Sequence, residues 1–442
     1  MLVSEDTQAV LNARVGLASP SLPAAVSGVR PTASARSLSP AIELTLHENL
    51  AAVAPTWRAF EAVADCTAFQ TFAWHDAWQR HVGERNQVRP VIVEGREGGR
   101  LLFIMPLAIE QGMLVCRLIW HASDLCDYNA PLLARDFSER VPVSRFAALW
   151  EEIGARISSC PRLRHDVIIL ERMPEVVGGQ TNPFAHLPVT PHASGAYLMG
   201  IAGDWETFYR AKRSSATRRH DRAKLRRLGE AGPVSLVTAF DREAVEATLG
   251  TLFAQKAVSF ARRGVSNFLA RPGYRDFYVD IASNPATGAL VHVSKLQAGN
   301  GVAAANLGLV FGERYYHVVA SYDAGELARF GPGTAHLHEL IAYALQRGCS
   351  EFDFTVGDEP YKRDWCDSET KLFDLRLARN LRGWTGAAAA RAASRLKRGV
   401  KQSPMLWRAF TAARLVTARV NRKPQPAGCR SADRAAGGGE GR

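Results

Sequence analysis

Two short stretches decide how this chain is read: Phe330-Gly-Pro-Gly-Thr334, and Cys349-Ser-Glu-Phe-Asp-Phe-Thr-Val-Gly-Asp-Glu-Pro-Tyr-Lys-Arg-Asp-Trp365. Between them Leu337, Leu340, Ile341, Ala344 and Leu345 recur at helical spacing, and Gly348 closes the run as a left-handed C-cap would. A glycine loop ahead of a helix offers backbone N–H groups without Cβ obstruction, so Gly331, Gly333 and Thr334 are candidates to hold a pyrophosphate or another anion. An ordinary turn and helix cap is the simpler reading of those five residues taken alone. The strand expected at 350–356 puts Phe352 and Phe354 on one face and Asp353 on the other. Asp353 is then a general base or an ion-pair partner, and Asp358 or Glu359 can fill the base role instead. Lys362 holds a nearby carboxylate, contacts a phosphate, or pairs with Glu359 or Asp353.

Outward from this stretch the pattern is mixed α/β. Helices are expected at 50–64, 72–82 and 139–158, with strands at 89–95, 100–109, 112–120, 128–134 and 166–171. The second half repeats this grammar. Helices are expected at 204–229, 241–262, 273–283 and 334–347, and strands at 289–297, 301–311, 313–321, 350–356 and 371–379. Each half contains a strand, a tight glycine turn and a strand, at Gly98-Gly99 and at Gly299-Asn300-Gly301. The expected organisation is a disordered segment 1–40, an α/β domain over 41–195, a second copy over 196–380, and a basic tail over 381–442. The first copy lacks a glycine loop, and Asp136 and Glu139 ahead of its helix would repel a phosphate. Only the second copy is expected to bind an anionic cofactor.

The succession of strand, Asp323, Gly-Pro-Gly-Thr, helix, Gly348 and then Glu-Phe-Asp-Phe-x-x-Gly-Asp-Glu-Pro-Tyr-Lys-Arg-Asp-Trp resembles the acetyltransferase domain of the CelD/BcsL-like cellulose-biosynthesis proteins, within the GNAT superfamily. Phe208-Tyr-Arg-Ala-Lys-Arg-Ser-Ser215, Arg218-Arg219 and Lys224-Leu-Arg-Arg-Leu resemble the start of that domain. The likeness covers about 200–380, and the first half fits the tandem arrangement of Fem-type aminoacyl transferases. It implies tandem GNAT-like domains and acyl transfer from acyl-CoA, with acetyl-CoA as donor, to an amine or hydroxyl of a small molecule or saccharide. A part in polysaccharide biosynthesis is implied by the family alone. The glycine loop would receive the CoA pyrophosphate, although Pro332 removes one N–H donor. Tyr361 would give a proton to the departing thiolate or else pack against Trp365. The alternatives are a Fem-like enzyme that uses aminoacyl-tRNA and a non-catalytic membrane-surface subunit.

The net charge of +12 points at first to nucleic acid, but residues 382–442 hold 14 Lys and Arg against 2 Asp and Glu, which is the whole excess. The remaining chain is neutral, so nucleic-acid binding is not expected of the folded part. The tail suits peripheral contact with an anionic membrane, with Met405, Leu406, Phe410, Val416 and Val420 on one helical face. The dense basic run 210–227, including Arg218 and Arg219, suits an anion: the CoA 3′-phosphate, a sugar phosphate or tRNA. The seven cysteines include no C-x-x-C, and His336 and His338 lie roughly 200° apart on a helix. No metal is expected. With no apolar signal segment, the expected location is cytoplasmic, or peripheral at the inner membrane surface.

Overall fold

A computed structural model describes residues 41–402. The segment 1–40 and the amphipathic pattern beyond 402 lie outside the described residues. The chain builds two mixed sheets. The first contains β1 (Ile42–His47), β2 (Arg89–Glu97), β3 (Arg100–Gln111), β4 (Cys116–Trp120) and β5 (Val167–Pro174). The second contains β6 (Ala196–Gly200), β7 (Val234–Thr238), β8 (Val291–Ala298), β9 (Gly301–Phe311), β10 (Arg314–Tyr322), β11 (Glu351–Val356) and β12 (Ser368–Thr370). The helices are α1 (Leu50–Glu61), α2 (Phe72–Trp78), α3 (Val143–Ser159), α4 (Trp205–Lys212), α5 (Ser215–Leu228), α6 (Arg242–Arg262), α7 (Tyr274–Ser283), α8 (Pro332–Gln346) and α9 (Leu381–Gln402).

Both sheets follow one plan, as the repeated grammar implied. A hairpin, β2–β3 or β8–β9, leads to a strand that pairs in parallel with the strand beyond the next long helix. These parallel pairs are β4 with β5 across α3, and β10 with β11 across α8. The last antiparallel neighbour comes from opposite ends of the second half. β6, at its start, pairs with β11 of the second sheet. The strand β13 (Leu372–Ala378) follows the second half yet pairs with β5 of the first. The strand read at 371–379 therefore crosses into the first sheet, although the sequence places it in the second domain. Strand pairing is a long-range choice that local pattern does not encode.

Side chains lock the halves as β13 does. Trp74 and Phe277 meet edge to face at 4.9 Å, and Phe69 lies against both Tyr128 and Tyr316. Arg80 and His81 share Asp280 at 2.7 and 2.8 Å. Aromatic pairs of this kind contribute about 0.5–1.5 kcal/mol each beyond their buried area.

Three local expectations need correction. The helix expected over 204–229 breaks at Arg213-Ser214, where the Ser214 side chain accepts from the Thr217 N–H at 3.2 Å and starts α5 anew. The strand expected at 128–134 shrinks to Leu132–Leu133, because Tyr128 and Asn129 turn away to bond groups on other segments. The strand expected from 112 begins at Cys116, since Gly112 and Val115 close a turn. No helix among the described residues is long and apolar enough to cross a membrane.

Burial leaves an acid-sensitive signature. It pushes the imidazoles of His75, His292, His317 and His336 down to about 3. A histidine neutral in the fold but protonated when unfolded withdraws stability as pH falls through its unfolded value near 6.5. Burial raises Asp353 to about 6 and Glu61 to about 7, and these carboxyls regain stability over the same interval. The histidines outnumber them. The thermal midpoint measured by calorimetry is expected to fall steadily from pH 7.5 to pH 5, and a flat or rising midpoint would contradict this balance.

Candidate functional site

The parallel pair β10–β11 is short. Its register runs Arg314 to Glu351, Tyr315 to Phe352 and Tyr316 to Asp353, and then the strands part. The cause is local to Thr355, which has φ +56, a left-handed conformation that costs a β-branched residue about 1–3 kcal/mol. Opposite it, the β6 register slips between Ala196 and Leu198. The first sheet repeats the device. Arg172 has φ +57 at the same place on β5 and gives its N–H to Asp374 at 3.0 Å, and the β13 register slips opposite it.

Charged groups hold the strained residue. Asp353 accepts from the Thr355 N–H and from the Tyr128 hydroxyl, each at 2.7 Å, and Arg314 lies 3.5 Å from its second oxygen. Lys362 donates to the carbonyls of Thr355 and Val356 at 3.3 and 3.2 Å and pairs with Glu359 at 3.1 Å. The Thr355 hydroxyl reaches across the gap to the His317 carbonyl at 3.3 Å. Gly357, at φ +146, makes room for the Lys362–Glu359 pair, since a Cβ there would run into the Glu359 carboxylate and lie 2.8 Å from the Lys362 nitrogen. Asp353 is 2 % exposed and engaged at both oxygens. This geometry makes it a positioning residue for the bend rather than a base in contact with an acceptor.

Asp127 is a further carboxylate at this turn that the sequence reading did not single out. Burial raises its pKa, and its surroundings are Arg172, the Thr355 hydroxyl, Lys362 and Glu359. It is half-buried and precedes Tyr128, so one segment of the first half supplies both the Asp353 contact and a carboxylate in the gap. The only signal in the sequence was the polar run Asp127-Tyr128-Asn129, which the strand pattern absorbed. Asp358 lies near Arg363, at the rim of the same turn. Tyr361 is 40 % exposed, and its ring meets Phe354 at 6.0 Å rather than Trp365. Burial and Glu359 raise its pKa, which keeps the hydroxyl protonated. Trp365 instead lies parallel to Tyr209 at 6.2 Å, beneath the Arg213 guanidinium.

The glycine loop forms the other wall. Gly331, at φ +64, is the residue that caps α8. Thr334 is exposed and its N–H returns to the Gly331 carbonyl at 3.0 Å, so Thr334 is not the cap. A Cβ on Gly331 would lie 3.3 Å from the Lys224 side chain, and one on Gly333 would meet the Tyr322 ring at 3.3 Å. Lys224 is thus the α5 cation over the loop. Arg218 lies beside Tyr209, and Arg219 is exposed. Burial, and the charges of Lys362, His336 and Lys256 nearby, lower the pKa of His317. Two surface pockets, of about 210 and 540 Å³, lie away from this gap along the Arg80–Asp280 contact. Among the described residues no group of three or more His, Cys, Asp or Glu is placed to hold a metal.

The model of the acetyltransferase (GNAT) domain family, Acetyltransf_6, matches residues 215–363. That stretch carries most of the second sheet, so this part of the chain is similar to a GNAT acetyltransferase domain. The crystal structure of FemX is similar over 76 % of this chain and 97 % of its own, at 11 % identity and a TM-score of 0.51, which shows a shared fold. A conserved protein of unknown function from Bacteroides thetaiotaomicron covers 76 % of this chain and 100 % of its own, at 11 % identity and TM-score 0.47. A tandem GNAT protein from the clavulanic acid biosynthesis pathway covers 76 % and 98 %, at 12 % identity and TM-score 0.41. No curated protein matches the sequence.

The residues at the gap fit the phosphates of an acyl-CoA, the donor that similarity to a GNAT acetyltransferase domain suggests. Gly331 and Gly333 let a pyrophosphate approach the positive end of α8, and Lys224 adds a cation there. Pro332 at the first helical position forfeits an N–H but holds the helical start. The clamp can be weighed by denaturation. Asp353→Asn and Tyr128→Phe are each expected to lose about 1–3 kcal/mol, the cost of stranding a buried partner. Thr355→Gly is expected to lose less, because glycine adopts φ +56 without penalty. Equal losses for all three would mean that no strain is stored at Thr355.

Proposed function

We propose that this chain is an acyltransferase that moves an acyl group from acyl-CoA, with acetyl-CoA as the simplest donor, to an amine of a small molecule or saccharide. One observation carries the reading. The parallel strands part beside a glycine-capped helix start, and a carboxylate of the other half, Asp127, lies beside Thr355 where they part.

The acceptor nitrogen attacks the thioester carbonyl carbon, forming a C–N bond as the C–S bond breaks. Asp127 takes the amine proton, and burial makes it a stronger base than an exposed carboxylate. Beyond Tyr316 the β10 register with β11 ends, so the β10 edge offers backbone N–H groups to the developing oxyanion. The departing thiolate collects a proton, and Tyr361 is a protonated donor on the adjacent turn. Lys362 fixes the carbonyls that set the gap.

What supports the sugar or polysaccharide setting is the resemblance of residues 349–365 alone. A second reading, aminoacyl transfer from tRNA, draws on the fold shared with FemX and on the basic helix α5. It calls for tRNA binding that survives ~150 mM salt, and absence of binding there removes it.

Acetyl-CoA turnover in the presence of amine acceptors, read as free thiol, checks the main reading. Asp127→Asn is expected to lower kcat by about 10²–10⁴ while the thermal midpoint stays near that of wild type. Undiminished turnover in this variant would remove Asp127 from the chemistry.

A further inference from the structure

The side of the gap opposite the glycine loop holds an unexplained group of cations. α8 packs on the face of the second sheet that carries Phe352 and Phe354, whereas α6 packs on the face that carries Tyr316 and Val319. A donor seated at Gly331 therefore leaves the α6 face for the acceptor. Lys256 on α6 is half-buried, with its nitrogen 5.7 Å from the Phe260 ring centroid. The Arg263 guanidinium lies 5.4 Å from the same ring. Neither side chain has a carboxylate within ion-pair distance among the described residues.

Lys256 faces Arg263 and Lys362, with Glu359 as the single opposing charge. Burial first, and Arg263 second, bring its pKa down to about 8. Arg263 is exposed, but Lys256 is partly withdrawn from water beside other cations, which is unfavourable unless a further anion joins it. Around the gap, Arg172, Lys256, Arg263, Arg314 and Lys362 stand against Asp127, Asp353 and Glu359. Positive charge is in excess.

On the acyl-transfer reading above, we infer that the acceptor is a primary amine that also carries an anionic group, a carboxylate or a phosphate. Asp127 receives the amino group, and Lys256 with Arg263 receives the anion. Lys256 is then a specificity-determining residue. An acceptor without the anion leaves both cations unpaired, which is where discrimination arises. The acyl group passes to the amine as described, with no further co-reactant.

The test uses the full chain with acetyl-CoA and two matched pairs of amines: 4-aminobutyrate against n-butylamine, and glucosamine 6-phosphate against glucosamine. Acylation is read as thiol release, and acceptor binding is read separately by calorimetry. The expected result is a preference for one or both anionic members of about tenfold or more in kcat/KM, expressed in KM. Which pair shows it distinguishes carboxylate from phosphate. Lys256→Met is expected to erase the preference through KM, and Lys256→Arg to retain it. Equal use of neutral and anionic amines, or a Lys256→Met variant that keeps the preference, overturns the inference. If nothing is acylated but anionic amines bind wild type and not Lys256→Met, the anion site stands and the acyl-transfer reading falls. If neither kind of amine binds, the anion site falls.

Discussion

The site depends on one strained residue. Thr355 stands at φ +56 at the point where β10 and β11 stop pairing, and everything that touches it keeps it there. Asp353 takes its N–H, Lys362 takes its carbonyl, and its hydroxyl bridges to His317. Without the left-handed turn the parallel ladder would run on toward Val356 and close the gap in which chemistry is proposed. The strain of about 1–3 kcal/mol is offset by charge-assisted hydrogen bonds of comparable size, several of them buried.

This clamp couples the two halves of the molecule. Tyr128 comes from the first half, Asp353 from the second, and their 2.7 Å contact lies beside Asp127. The strand β13 reinforces the coupling, because it completes the first sheet from beyond that sheet's own half. Arg172, the left-handed counterpart of Thr355, faces Asp127 from the first sheet. The duplicated architecture thus places two equivalent bends around a single carboxylate. The first half supplies the Asp127 wall, while the glycine-capped helix belongs to the second half alone. Asp136, which argued against phosphate binding in the first copy, is paired with Arg100 and Arg140.

Much of this was legible in the residues. The hairpins, the helices α1, α3, α6, α7 and α8, and the strand carrying Asp353 follow from periodicity and glycine placement, which are local signals. Lys362 and Glu359 were weighed as an ion pair, and they are one. The exchange of β13 was not legible, because pairing with β5 joins residues about two hundred positions apart and leaves no pattern in either strand. Asp353 was left open between a base and an ion-pair partner, because its neighbours in sequence are silent about Tyr128 and Arg314, which arrive from elsewhere. Asp127 was missed for the same reason: its partners Arg172, Thr355 and Lys362 come from three separate segments. Gly331 caps α8, since Pro332 at the first helical position leaves the left-handed turn to the glycine before it.

A crystal structure of the protein with acetyl-CoA tests the central claim most directly. The account requires the pyrophosphate at the Gly331–Gly333 turn beneath Lys224, and the thioester sulfur in the gap between β10 and β11 beyond Tyr316, with Thr355 still left-handed. A donor bound on another surface, or a continuous β10–β11 ladder past Asp353 with acetyl-CoA in place, would contradict it.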